Sequence, residues 1–481
     1  MKTYCRRSVR TFVRVASLAC LSLALACSSD LKGGGGSHGG FGPHDAGAGG
    51  KSSGGRGGNS TGGTAGAGAS AGNATGGAIT PGGNTVEAGV KDAMVIDGGP
   101  PPDDVFCARG ADAPRSVLLV AGVATCNGCI SPLGEVAAVD LTNGCVVERR
   151  HFSGTHAIVR TGVGLGFVLE DTTLHAYDLQ MRETTVPLAF SEDGGAALFA
   201  SDLVHVRAVG GSSKAYVPVS PFPYGNSTSP GPNVMWIAVV DLDEQRITSL
   251  IDMSPVRRPG ERVGQPFVST GFYDAVTGRV YFSLTRSIDG CPPRTPSTLV
   301  AIDTTTDQLV DLNGAAAGLA LSLPLSPDGV ATDPSSRRAF FPASGCREVL
   351  DSGADLLILD GIESVNLDTL ATGIFPREIT NGQQITDVLV LAPDSVLLLA
   401  PNGGNPSWWK WKPSSPMIGE RIFGLPEKPV VEGPDSLVGL SSVDLFNWRV
   451  VRYKVSTQVA TDVVSSVLRT EYGEVGLALV R

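Results

Sequence analysis

Residues 298–312 read TLVAIDTTTDQLVDL: an apolar run ending at Asp303, a polar turn, and a second apolar run leaving at Leu309. Apolar side chains occupy both parities of the first run, Leu299 and Ala301 against Val300 and Ile302, so a strand buried on both faces is expected. The aspartate stands where the strand ends. Its carboxylate can accept turn N–H groups, and the residues after it are turn formers. A lone hairpin cannot bury two faces, so copies of it must stack on one another.

Copies exist. Weaker versions occupy 135–148 (EVAAVDLTNGCVVE), 173–186 (TLHAYDLQMRETTV), 236–250 (WIAVVDLDEQRITSL) and 356–367 (LLILDGIESVNL), with degenerate ones at 408–412 and 449–464. Between them recurs a second strand pair, turning at Asp274–Gly278, Asp333–Ser336, Pro393-Asp394-Ser395 and Pro434-Asp435-Ser436. Each repeat thus holds four antiparallel strands, a to d, and four-stranded repeats stacked face to face make a β-propeller. Seven copies over residues 105–481 give about 54 residues per blade. Six or eight blades remain compatible with the degenerate last copies.

Both ends of the domain suggest closure. Residues 115–122 (RSVLLVAG) read as strand b of blade 1 with no strand a before them. Residues 474–480 (EVGLALV) form an apolar strand with no blade left to serve. Joining them removes two open sheet edges. The expected fold is therefore an all-β propeller of seven four-stranded blades, the first closed by the C-terminal strand. Ser326-Pro327-Asp328-Gly329 and the LVAIDTTTDQLV phrase resemble the YVTN-type propeller repeat of exported bacterial proteins. The resemblance runs over most of 115–481 and implies the fold; the eponymous tetrapeptide is absent, and no function is carried over.

The chain before the propeller has other business. Lys2, Arg6, Arg7, Arg10 and Arg14 precede an apolar core at 15–25 too short to span a bilayer, as in an export signal over residues 1–26. It ends in Leu23-Ala24-Leu25-Ala26-Cys27, which resembles the lipobox of bacterial lipoproteins and implies lipidation of Cys27; ordinary signal cleavage is the alternative. Residues 27–104 are rich in Gly, Ser, Ala, Thr and Asn and nearly free of large apolar side chains, a composition that cannot repay the entropy of folding. A tether is expected, with a reach of roughly 50 Å as a flexible coil. The implied location is the bacterial cell envelope, an outer-membrane lipoprotein facing either the periplasm or the outside.

The formal charge is −10, and the five basic residues of the signal leave 32 Lys+Arg against 47 Asp+Glu, or −15, in the exported part. An acidic exported domain is a poor partner for nucleic acid. Six cysteines besides Cys27 lie in that part (Cys107, Cys126, Cys129, Cys145, Cys291, Cys346), an even number that reads as disulfides in an oxidising compartment. Cys126-Asn-Gly-Cys129 lacks the second close pair zinc would want and the βαβ setting of a redox motif. Cys291 and Cys346, 12 residues before Asp303 and 14 before Asp360, fall in the b–c connections of neighbouring blades and are expected to bridge them.

Strand alternation puts every b–c and d–a connection on one face of the disc, and several are long: 220–233, which contains Tyr224, 286–297 and 343–354. Loops on a rigid scaffold are where such folds keep binding function, although Pro/Gly-rich loops also lengthen under weak selection. Trp408, Trp409 and Trp411 sit in one strand, with Trp409 and Trp411 on one face and Trp408 on the other. With Tyr224 they are the candidate ligand-binding residues, and packing between blades is the competing use of the tryptophans. The folded domain has His151, His156, His175 and His205, and no HExxH, GxSxG, phosphate-loop or EF-hand pattern. The turn aspartates would bind calcium only if clustered. A monomeric, lipid-anchored binding propeller without catalysis, cofactor or metal is expected, its ligand a protein or carbohydrate. The alternatives are a lactonase- or lyase-like hydrolase working at the central channel, and a purely architectural surface protein.

Overall fold

The computed structural model describes residues 106–108 and 114–481 apart from 125–133, 153–156, 171, 190–197, 208–211, 221–235, 257–266, 286–296, 315–317, 322–328, 344–345, 350–354, 359–360, 402–406, 416, 443–446 and 470–471. The signal, Cys27 and the tether lie outside the described residues. So do Tyr224, His156, Cys126, Cys129 and Cys291.

Seven four-stranded antiparallel sheets follow one another in a ring. In blade 4 the a–d order is Phe267–Asp274, Arg279–Thr285, Thr298–Asp303 and Gln308–Val310, with Leu319–Ala320 continuing the outer edge. The founding phrase is strands c and d of this blade. Both parities of Thr298–Asp303 are buried: Val300 and Ile302 join Tyr216 and Val239 of blade 3, while Leu299 and Ala301 join Ala339 and Phe341 of blade 5. Every pair of adjacent blades shares such an apolar layer among the described residues. The layer between blades 7 and 1 combines Val438, Val450 and Val464 with Leu118, Val139 and Leu479.

That last layer exists because the chain ends inside blade 1. Tyr472–Val480 pairs antiparallel with Val117–Ala124, with Val117 opposite Val480 and Val120 opposite Leu477, and so serves as strand a of the blade whose other strands come from the other end. The N-terminal approach is fixed as well. Phe106 makes a parallel bridge to Val146 on strand d of blade 1, and Cys107 is disulfide-bonded to Cys145, Cα to Cα 5.0 Å.

Hairpins are closed as the phrase requires. Asp140 Oδ1 accepts the N–H groups of Thr142 and Asn143, Asp241 Oδ1 those of Asp243 and Glu244, and Asp303 Oδ1 those of Thr305 and Thr306. Four residues after each aspartate the chain turns left-handed, at Gly144, Gln245 and Asp307. The Thr305 hydroxyl and these N–H groups hold the Asp303 carboxyl below the usual carboxylate range.

Blade 5 corrects one expectation. The run at 356–367 is not one copy of the phrase. Asp355–Ile358 pairs with Cys346–Val349 as a separate hairpin inserted between strands b and c. Strand c is Gly361–Asn366, and strand d is Thr372–Pro376. Asn366, not Asp360, fills the turn position, its Oδ1 accepting from the N–H groups of Asp368 and Thr369. Cys346 still precedes strand c, in the b–c connection.

Candidate functional site

The tryptophans are committed to packing. Trp408, Trp409 and Trp411 are 4, 7 and 1 % exposed, which leaves no ring face for a sugar or aromatic ligand to stack on. Trp409 and Trp411 lie in the layer between blades 5 and 6, and Trp408 in the one between blades 6 and 7, the alternation expected of a strand. Trp411 meets Phe375 edge-on at 4.6 Å between centroids, and its indole N–H donates to the Ser415 carbonyl at 3.2 Å.

The described histidines are held by neighbouring groups or stand exposed. His175 has one ring nitrogen 2.6 Å from Glu183 and the other 3.2 Å from Glu170, on strands of blade 2. His205 accepts the Val163 N–H on Nδ1 at 3.0 Å and lies 2.8 Å from the Ser213 hydroxyl through Nε2. Burial, with help from the charge of Arg207, pushes its pKa down to about 4, so the ring is neutral at pH 7. His151 is exposed at the blade 1 rim.

A polar cluster that motif reading does not reveal lies on the innermost strands. These strands touch their counterparts around the channel: Leu479 N–H of blade 1 donates to Thr161 Oγ1 of blade 2 at 2.9 Å. The next residue back, Arg160 on Ala157–Thr161, donates from Nε to Asp202 Oδ1 at 2.6 Å and from Nη1 to the Val159 carbonyl at 3.1 Å. Asp202 is wholly buried, at a place where strand a of blade 3 breaks between Phe199–Ala200 and Val204–Arg207. Its Oδ2 accepts the N–H of Gly271, on strand a of blade 4, at 2.8 Å.

Gly271 follows a bulge in that strand, between Val268 and Thr270. A Cβ there would lie 2.5 Å from the Phe282 ring and 2.6 Å from Val204, so only glycine lets the strand come this close. Three blades thus meet at one carboxylate, while the side chain of the arginine bound to it remains 40 % exposed. The sequence carries only a faint sign of this: one arginine in a short, otherwise mostly apolar strand and one aspartate between two short strand segments, 42 residues apart.

Cys107, Cys145 and Asp140 are close enough to share an ion, but the two sulfurs are bonded to each other and Asp140 already accepts from Thr142, Asn143 N–H and the Asn143 amide. Those atoms do not suit a metal.

The strand order, the layers between blades and the closing strand define a seven-bladed β-propeller. Similarity to solved structures accompanies this at a low level. The Dos1 propeller aligns with a TM-score of 0.41 at 9 % identity over 76 % of this chain and 87 % of its own. A candidate 6-phosphogluconolactonase from Bacteroides fragilis aligns with 0.44 at 10 % identity over 78 % and 100 %. A puromycin-hydrolyzing peptidase from Mycobacterium tuberculosis gives 0.39 at 14 % identity, over 74 % of this chain and 54 % of that one. No protein-family model and no curated protein sequence matches the chain.

Proposed function

We propose that this chain is an exported, lipid-anchored propeller that binds a ligand and performs no reaction on it. The observation that carries the reading is how the candidate acid–base groups are used. His205 is buried, neutral and bonded on both nitrogens, and His175 lies between two carboxylates on blade 2. His205 Nε2 does lie against the Ser213 hydroxyl, but Nδ1 accepts the Val163 N–H, so the neutral ring carries its proton on Nε2 and donates to that hydroxyl instead of serving as its base. A binding ring held on a tether also makes sense of the lipobox-like ending at Cys27 and of the long b–c connections on one face. Outer-membrane residence in the cell envelope is part of the same reading.

The direct test is to incubate the exported protein with a panel of lactones, esters and glycans, following both turnover and ligand-dependent thermal shift. Saturable shifts without turnover are expected. Turnover lost on substituting a channel residue would replace this reading with the hydrolase one. Mass spectrometry of the membrane-extracted N-terminus should find a diacylglyceryl Cys27; an unmodified N-terminus at Ser28 or later would remove the anchor.

A further inference from the structure

We propose that Arg160 is a preorganised binding group for the carboxylate of a small molecule entering the central channel. The inference rests on the binding reading above and names the ligand chemistry for it.

The cluster is poorly explained as a staple alone. Enclosing a carboxylate–guanidinium pair costs desolvation, and apolar residues of similar size commonly stabilise a fold as well or better. Here the enclosure is also accompanied by two backbone irregularities. Strand a of blade 3 breaks around Asp202, and strand a of blade 4 bulges just before Gly271. Bulges and breaks of this kind gather beside binding and active sites, where they re-aim a side chain. Both converge on one oxygen pair, and that pair fixes one guanidinium.

What is fixed has a free side. A guanidinium carries five N–H groups in a rigid plane. Arg160 uses its Nε–H on Asp202 and one Nη1–H on Val159, which leaves three without a partner among the described residues. These three include both N–H groups of Nη2. The partly exposed side chain presents them from the innermost strand of blade 2, and the inner strands of blades 6 and 1 are mostly apolar. Two adjacent Nη donors match the two oxygens of a carboxylate. Asp202 already balances the arginine's charge, so a singly charged planar group is favoured over a phosphate dianion, whose second charge this neutral pair does not offset.

The test uses the full chain and thermal shift with gluconate, propionate and inorganic phosphate, each against sodium chloride of equal ionic strength. Both carboxylates should raise the melting temperature of the wild type saturably, and phosphate should raise it less. Arg160→Gln should abolish the carboxylate effect. Arg160→Lys keeps a cation for Asp202 but loses the fork, and should weaken apparent affinity at least tenfold; it decides the matter if the glutamine variant does not fold. No carboxylate-specific rise in the wild type, an undiminished rise in Arg160→Lys, or a larger rise with phosphate would each overturn the assignment. Turnover of a lactone would remove the non-catalytic reading while leaving the Arg160 site standing.

Discussion

Two tyrosines at equivalent places show how much the repeat leaves to single residues. Tyr216 and Tyr281 both stand on strand b, two residues after the position facing the turn aspartate, in blades 3 and 4. Tyr216 donates its hydroxyl to Asp307, the left-handed residue of the next blade's turn. The same turn position in blade 5 is Leu370, and the buried Tyr281 hydroxyl has no partner among the described residues. Tyr216→Phe should therefore cost about 1–2 kcal/mol, having removed one side of a bond to a charged group. Tyr281→Phe should be neutral or stabilising by ~1 kcal/mol, since it removes an unpaired buried hydroxyl. Denaturant midpoints of the two variants check this; equal losses would contradict it. Asp274 supports a second residue-scale prediction. Burial pushes its carboxyl up, but the Arg337 guanidinium, the Thr277 hydroxyl and the Val276 N–H outweigh burial and hold it below the ordinary carboxylate range. A carboxyl depressed in the folded state stabilises above its unfolded pKa of ~3.9 and loses that contribution as pH falls through the folded value. Asp274→Asn should cost about 1–2 kcal/mol at pH 7, and the gap to wild type should close below about pH 4. A gap that is the same at pH 3 would show the charge to be irrelevant.

At the scale of strands, what could be read from the chain depended on how local the signal was. The blade 4 phrase was legible because double-sided burial and a turn aspartate are both written in consecutive residues. The a–b turns at Asp274 and Asp333 were legible for the same reason. Blade 5 misled because Leu356-Leu357-Ile358 imitates a blade strand and Asp360 imitates its turn, while the true strand c ends in an asparagine. Register across sheets is a pairing property, and the inserted hairpin is visible only in its partner strand. The Arg160–Asp202–Gly271 contact was less legible still, since it joins three blades and no motif spans them. Connections between strands carry a further prediction. Cys107 is already paired with Cys145, so besides Cys27 four cysteines of the exported part remain, again an even number. We propose that Cys291 bonds Cys346 across neighbouring b–c connections. Peptide mapping without reduction should recover the 291–346 cross-link, and free thiols at both positions would exclude it.

Closure decides the behaviour of the whole molecule. A blade in an open stack loses only its own contacts when an end frays, whereas a blade in a ring is held on both sides. Blade 1 is assembled from both ends of the domain, and its strand a contributes Leu477, Ala478, Leu479 and Val480 to the buried layers facing blades 7 and 2. Fully burying each of the larger of these side chains is worth about 1.5–3 kcal/mol. Removing the strand would also strip the hydrogen-bonding edge of Val117–Ala124, which otherwise pairs residue by residue with it. Arg481, just beyond it, donates to the Glu432 carbonyl of blade 7 and would be lost too. Together these losses approach the 5–15 kcal/mol that stabilises an ordinary domain. Deleting residues 473–481 should accordingly abolish the single cooperative transition of the propeller, with hydrogen-exchange protection falling in blades 2 and 7 as well as in blade 1. A truncated protein that melts at the wild-type temperature, with protection lost only along 117–124, would mean that the ring stands without its closing strand.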